Sequence, residues 1–169
     1  MPRVNELEKS ANKINMDLRR NNKALIMKIP VPLELTAKGL IAKKSTVDYS
    51  GTLFGGLSVD YDAKETESKT SFPLANIEEH QLNYLKFKNY LGGVTFFMIH
   101  FKKQYTDKVF IVPIEFIDDY WQKALSGTGR KSIPFKEFKN EWLTPIDAYI
   151  NKITDMKDDL RLKCSSIPL

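Results

Sequence analysis

STVDYSGTLFGGLSVDYDAKETESKTSFPL, residues 45–74, is the stretch on which the reading of the fold turns. Two runs of strand-forming residues, TVDYSGTLF (46–54) and LSVDYDAK (57–64), flank Gly55-Gly56, a pair able to take positive φ at both turn positions. They predict an antiparallel hairpin. Alternation along the second run sends Val59, Tyr61 and Ala63 to one face and Asp60, Asp62 and Lys64 to the other. The apolar face is expected to pack inward, and the charged face becomes a candidate site.

A hairpin that closes at Gly55-Gly56 sets Asp48 opposite Ala63. A one-residue bulge, for which Gly51 is suited, moves Asp48 opposite Asp62 and onto the charged face. Two carboxylates so close raise each other's pKa unless a hard cation such as Mg²⁺, or Mn²⁺ in its stead, lies between them. Lys64 cannot ligate that cation. Its ammonium can orient an attacking water, help to deprotonate it, or stabilise charge growing on a phosphate oxygen. Asp60, on the same face, is a supporting candidate. A bare D-x-K pattern more often marks the solvated face of a strand, and the weight here comes from the upstream aspartate, the glycine pair and the helix that follows.

Working outward, Val4, Leu7, Ala11, Ile14 and Leu18 step by three and four, which predicts an amphipathic helix over 4–21. ALIMKI (24–29) reads as a first strand, ended by Pro30-Val31-Pro32. The segment 33–45, LELTAKGLIAKKS, is basic through Lys38, Lys43 and Lys44 and carries Leu33, Leu35, Leu40 and Ile41. It suits a strand-like stem with a DNA-contacting loop. Downstream, Asn76 with Glu79 forms a capping signal for a helix over 77–91 that holds His80 and Gln81. GVTFFMIHF (93–101) and KVFIVP (108–113) read as buried central strands, and IEFIDDYWQKAL as a helix after Pro113. SGTGRKSIP (126–134) offers backbone amides with Arg130 and Lys131 for a phosphate, without being a P-loop. Residues 135–162 are expected to form one or two helices, and 163–169 a loose tail.

The 169 residues, 42% hydrophobic and 28% charged, suit a single domain over 1–169. No membrane-length apolar run or leader pattern is visible, so the cytoplasm is the expected location. The single cysteine, Cys164, excludes an internal disulfide and a cysteine cluster. Charge is unevenly spread. Residues 1–50 hold ten Lys/Arg against five Asp/Glu, whereas residues 51–169 hold sixteen of each. A basic first third beside a carboxylate-rich centre fits a polyanion that is held by one part and cut by another.

DYSGTLFGGLSVDYDAKETESKTSFPL, with HQLNYLK and GRKSI further on, resembles the RecU family of Holliday-junction resolvases within the PD-(D/E)xK nuclease superfamily. LEKSANKIN and KALIMKIPVP resemble that family's N-terminal helix and first strand. The resemblance implies that Asp48 and Asp62 hold a metal, with the Ala63 carbonyl as a further ligand, and that Lys64 is the motif lysine. It also implies that Glu8 and Gln81 support the site. Relatives carry Glu where this chain has Asp62, and a longer insertion where it has 33–45. A reduced stalk is therefore expected. The fold implied is α/β, a restriction-endonuclease-like mixed sheet with helices on both sides. The function implied is Mg²⁺-dependent resolution of four-way junctions in recombination and repair by a homodimer, near the nucleoid or in a phage host's cytoplasm. A recombinase or branch-migration helicase is an expected partner. The alternatives are another PD-(D/E)xK nuclease acting on branched or duplex DNA, and a junction-binding protein that does not cut.

Overall fold

A computed structural model describes residues 6–36, 39–42, 45–102 and 108–143. In chain order these form α1 (Glu6–Arg20), β1 (Ala24–Lys28), β2 (Leu33–Thr36), β3 (Gly39–Ala42), β4 (Tyr49–Leu53), β5 (Ser58–Thr66), β6 (Ser71–Pro73), α2 (Glu79–Tyr90), β7 (Val94–Phe101), β8 (Lys108–Pro113), α3 (Ile114–Leu125) and β9 (Ser132–Pro134). Lys38, Lys43, Lys44, Cys164 and the 163–169 tail lie outside the described residues.

The main sheet has the order β1-β4-β5-β7-β8, antiparallel throughout except for the parallel pair β5 and β7. A parallel pair needs a crossover, and α2 supplies it. Helices cover both faces. α1 puts Leu7, Ala11 and Leu18 against Ile26, Val59, Tyr61 and Ala63, while α2 and α3 close the other face over Phe97, Ile99 and Val112. On the α1 side Tyr49, Tyr61 and Phe96 are neighbours across three strands. Their rings stack at centroid spacings of 4.6 and 4.8 Å, a continuous aromatic layer under the helix. Burial pushes the Tyr49 and Tyr61 phenols well up, and neither ionises near neutral pH.

Several expectations are corrected. The hairpin loop is three residues long, not two. Leu53 N donates to Leu57 O at 2.7 Å and Gly56 N to Leu53 O at 3.0 Å, with Gly55 and Gly56 both at positive φ. Tyr49 therefore faces Tyr61 and Thr52 faces Ser58 in an unbroken ladder, and the same register carries Asp48 to Asp62 with no bulge. Gly51 serves a close approach instead. A Cβ on it would lie 2.1 Å from Leu25 O on β1. KVFIVP is not central among the described residues, where β8 is the last strand of the sheet.

Asn76 does not cap α2. Ile77 is buried in extended backbone (φ −99°, ψ 130°), so the helix can start only after it, with Glu78 as cap. Over 135–143 the chain makes two short 3₁₀ turns, Phe135–Glu137 and Asn140–Leu143, where a helix was expected. Pro134 and a cluster of Phe101, Phe110, Phe135, Phe138 and Trp142 hold it to the sheet edge. Within the 33–45 segment the described residues include two short strands. β2 and β3 make a separate two-stranded sheet that turns at Gly39 (φ +110°).

Candidate active site

The charged face of β5 is not left open to water: α2 lies over it. Asp60 and Asp62 are both 0% exposed. A polar stripe on α2, Gln81, Tyr84 and Lys88 at steps of three and four, meets these carboxylates in two separate groups.

The first group is Asp48, Asp62, Lys64 and Gln81. Gln81 Nε2 donates to Asp62 Oδ1 at 2.9 Å, and Lys64 Nζ donates to Gln81 Oε1 at 2.8 Å. The Glu78 amide also donates to Gln81 Oε1, at 3.4 Å, which fixes which end of the glutamine amide faces the lysine. Lys64 Nζ stands 2.7 Å from Asp62 Oδ2 as a charge-assisted pair. Asp48 Oδ2 accepts the Ala63 amide at 3.0 Å. Burial lifts the Asp62 carboxyl to about 6; Lys64 pulls it down and Asp48 pushes it up.

In the second group, Asp60 Oδ1 accepts from Ser50 Oγ at 2.6 Å and from Tyr84 Oη at 3.2 Å, and Lys88 Nζ lies 3.1 Å from Oδ2. Asp60 is thus engaged apart from the Asp62 group. Tyr84, Ser50 and Lys88 were missed in the sequence, although their helical and strand spacing from Gln81 and Asp48 was there to read. Glu8 pairs with Lys28 on β1. His80 is held by the Ser45 carbonyl at 3.0 Å and His100 by Glu65 at 3.4 Å, so neither is aimed at Asp62.

Arg130 and Lys131 are exposed, and β9 pairs with β6, which brings them beside the segment leaving β5. The expected amide cradle next to them is corrected. The Thr128 and Gly129 amides both donate to Lys123 O, at 3.0 and 2.8 Å, closing the end of α3. They are not available to a phosphate.

The donor set of the first group fits a hard divalent cation. It offers two carboxylates, Asp62 wholly buried and Asp48 near enough to push the Asp62 carboxyl up. Among the described residues no three His, Cys, Asp or Glu side chains gather into a cage. Such a set suits an ion that keeps waters and shares a substrate phosphate, as Mg²⁺ does.

A five-stranded mixed sheet with helices on both faces and two aspartates beside a lysine on adjoining strands is consistent with the restriction-endonuclease-like class. Within it the chain belongs to the RecU family: residues 3–157 match the family model RecU, Recombination protein U. It is 31% identical to Holliday junction resolvase RecU of Pediococcus pentosaceus over 172 residues, covering 91% of this chain and 84% of that protein. Its identity to Holliday junction resolvase RecU of Staphylococcus epidermidis is 34% over 145 residues (79% and 68% covered), and to that of Oceanobacillus iheyensis 32% over 147 residues (80% and 73%). Among the described residues no helix is long and apolar enough to cross a membrane.

Proposed function

We propose that this chain is an endonuclease that resolves four-way DNA junctions by divalent-metal-assisted phosphodiester hydrolysis, with Mg²⁺ as the ion. The reading is carried by the meeting of Asp48, Asp62 and Lys64 on one sheet face in a member of the RecU family. Asp48 and Asp62 would hold the ion, with the Ala63 carbonyl as a further ligand. When bound, it would supply a polarised phosphoryl oxygen and a more acidic water.

The chain's own residues do the rest. Burial under α2 keeps Asp62 away from bulk water, where its charge acts most strongly. Gln81 grips Asp62 and Lys64 together, so carboxylate and ammonium approach the scissile phosphate as one unit. Lys64 then stabilises charge growing on a phosphate oxygen, or orients the attacking water. Lys38, Lys43, Lys44, Arg130 and Lys131 hold flanking phosphates. Two matched cuts need two such sites, so the working form is a homodimer.

Incision of a synthetic four-way junction, a fork and a linear duplex with Mg²⁺ tests this. The expected result is paired, symmetric cutting of the junction, lost in Asp62→Asn while junction binding remains. Equal cutting of linear duplex would overturn junction selectivity, and no cutting with Mg²⁺ or Mn²⁺ would overturn the nuclease reading. The fork is included because β2 and β3 are only four residues each, which favours a broader branched-DNA specificity as the second reading.

A further inference from the structure

Among the described residues β1 is an edge strand, paired with β4 alone. In an antiparallel ladder alternate residues turn their backbone groups to the partner. Phe54 N donates to Lys23 O at 2.7 Å and Ile29 N to Asp48 O at 2.8 Å, so the odd-numbered residues face β4. The N–H and C=O groups of Ala24, Ile26 and Lys28 therefore point outward, with no strand beside them among the described residues.

Two grooves run along this edge. One, of about 410 Å³, is lined by Arg19, Asn22, Leu25, Thr52 and Phe54. The other, of about 350 Å³, lies between α1 and β1 and is lined by Asn12, Met16, Arg19, Leu25 and Met27. They share Arg19 and Leu25 and form one trough. Its apolar walls are open to solvent: Met16 is 54% exposed, Leu25 49%, Met27 63% and Phe54 74%.

The one charged residue that lines both grooves, Arg19, is exposed; so are Lys9 and Lys13 on α1 and Lys23 just before β1, and none of the four has an anionic partner among the described residues. The nearby carboxylates Glu8 and Asp17 are already taken by Lys28 and Arg20.

We propose that this trough docks an extended, acidic segment of another protein, which adds a strand to β1. Alternate side chains of that segment would lie on Leu25 and Met27, with Met16 and Phe54 adapting around them, while a carboxylate meets Arg19. Charge selects this occupant over a second copy, since the exposed, unpaired Arg19 that lines both grooves would meet another Arg19 rather than a carboxylate. Duplex DNA would use the cations but leave the unpaired strand edge and the apolar walls unused.

The test is selection of random displayed peptides on the full-length chain, then fluorescence anisotropy of the enriched peptides with wild type, Arg19→Glu and Leu25→Arg. Met27→Lys replaces Leu25→Arg should thermal melts show the latter unfolded. The expected peptides alternate apolar residues with Asp or Glu, bind both variants about tenfold more weakly or worse, and slow hydrogen exchange at the Ala24, Ile26 and Lys28 amides. The proposal is overturned if nothing is enriched, if the variants bind equally well, or if protection appears elsewhere. Self-association dispersed by Leu25→Arg in sedimentation would also overturn it, assigning the face to a second copy. A loss confined to duplex affinity in Arg19→Glu would assign the cations to DNA.

Discussion

Asp62 and Glu65 stand three positions apart on β5, and the strand's alternation sends them to opposite faces of the sheet. Asp62, under α2, is held by Gln81 and Lys64, and burial lifts its carboxyl to about 6. Glu65, toward α1, accepts from the Leu7 amide at 3.2 Å, from His100 and from Lys102. Burial pushes its carboxyl up, but those hydrogen bonds outweigh it and hold it below the ordinary value. One face keeps a carboxylate whose charge burial disfavours, and the other uses a carboxylate to pin the first turn of α1 to the sheet. Neither face can be judged from carboxylate content alone: what differs is the supply of donors.

The comparison breaks most visibly at Asp62. Asp62→Asn should lower incision by at least roughly 10²-fold, while raising the metal-free fold's stability at pH 7 by about 1–2 kcal/mol. The sign follows from the raised carboxyl. Protonated Asp62 is favoured by the fold, so stability present below its ordinary pKa is lost as pH rises through about 6. Urea unfolding at pH 4.5 and pH 7, with incision rates beside it, measures both; a variant less stable than wild type at pH 7 would remove the contrast.

Lys64 comes next. Lys64→Ala should cost roughly 10²-fold in single-turnover rate, and Lys64→Arg should recover little of it, because the space between Gln81 Oε1 and Asp62 Oδ2 is filled by a compact ammonium. Wild-type rates in the arginine variant would show that only charge matters there.

The smallest effect is expected on the other face, and in stability alone. Glu65→Gln should destabilise the fold at pH 7 by about 1–3 kcal/mol and change incision only a few-fold. Its lowered carboxyl means that the wild-type advantage is present above the ordinary carboxylate pKa and fades as pH falls through the folded value. Unfolding curves that stay apart in acid would rule out this origin.

Much of this was legible in the sequence because period and punctuation were strong. The α1 stripe, the strand ended by two prolines and the split of β5 into apolar and charged sets all come from local pattern. So does the meeting of Asp48 with Asp62, though by a different route. A bulge at Gly51 was needed only because the loop was read as two residues; the third, Phe54, lies outside any glycine signal. Glu65 was invisible for another reason. Its partners Leu7, His100 and Lys102 are distant in the chain and are gathered only when α1 and β7 flank β5. The covering of the charged face could not be read either, since α2 is a weakly amphipathic helix whose polar stripe finds its meaning only against Asp60 and Asp62.

The rung from Ile29 N to Asp48 O, 2.8 Å long, closes the base of the β2–β3 hairpin. Among the described residues, β2 and β3 pair with each other and with no strand of the main sheet. Insertion there should be nearly neutral for the catalytic core, since each doubling of a closed loop costs only about 0.6 kcal/mol. The hairpin is thus a module on a fixed hinge, whose length can change while Asp48, at its foot, stays in place.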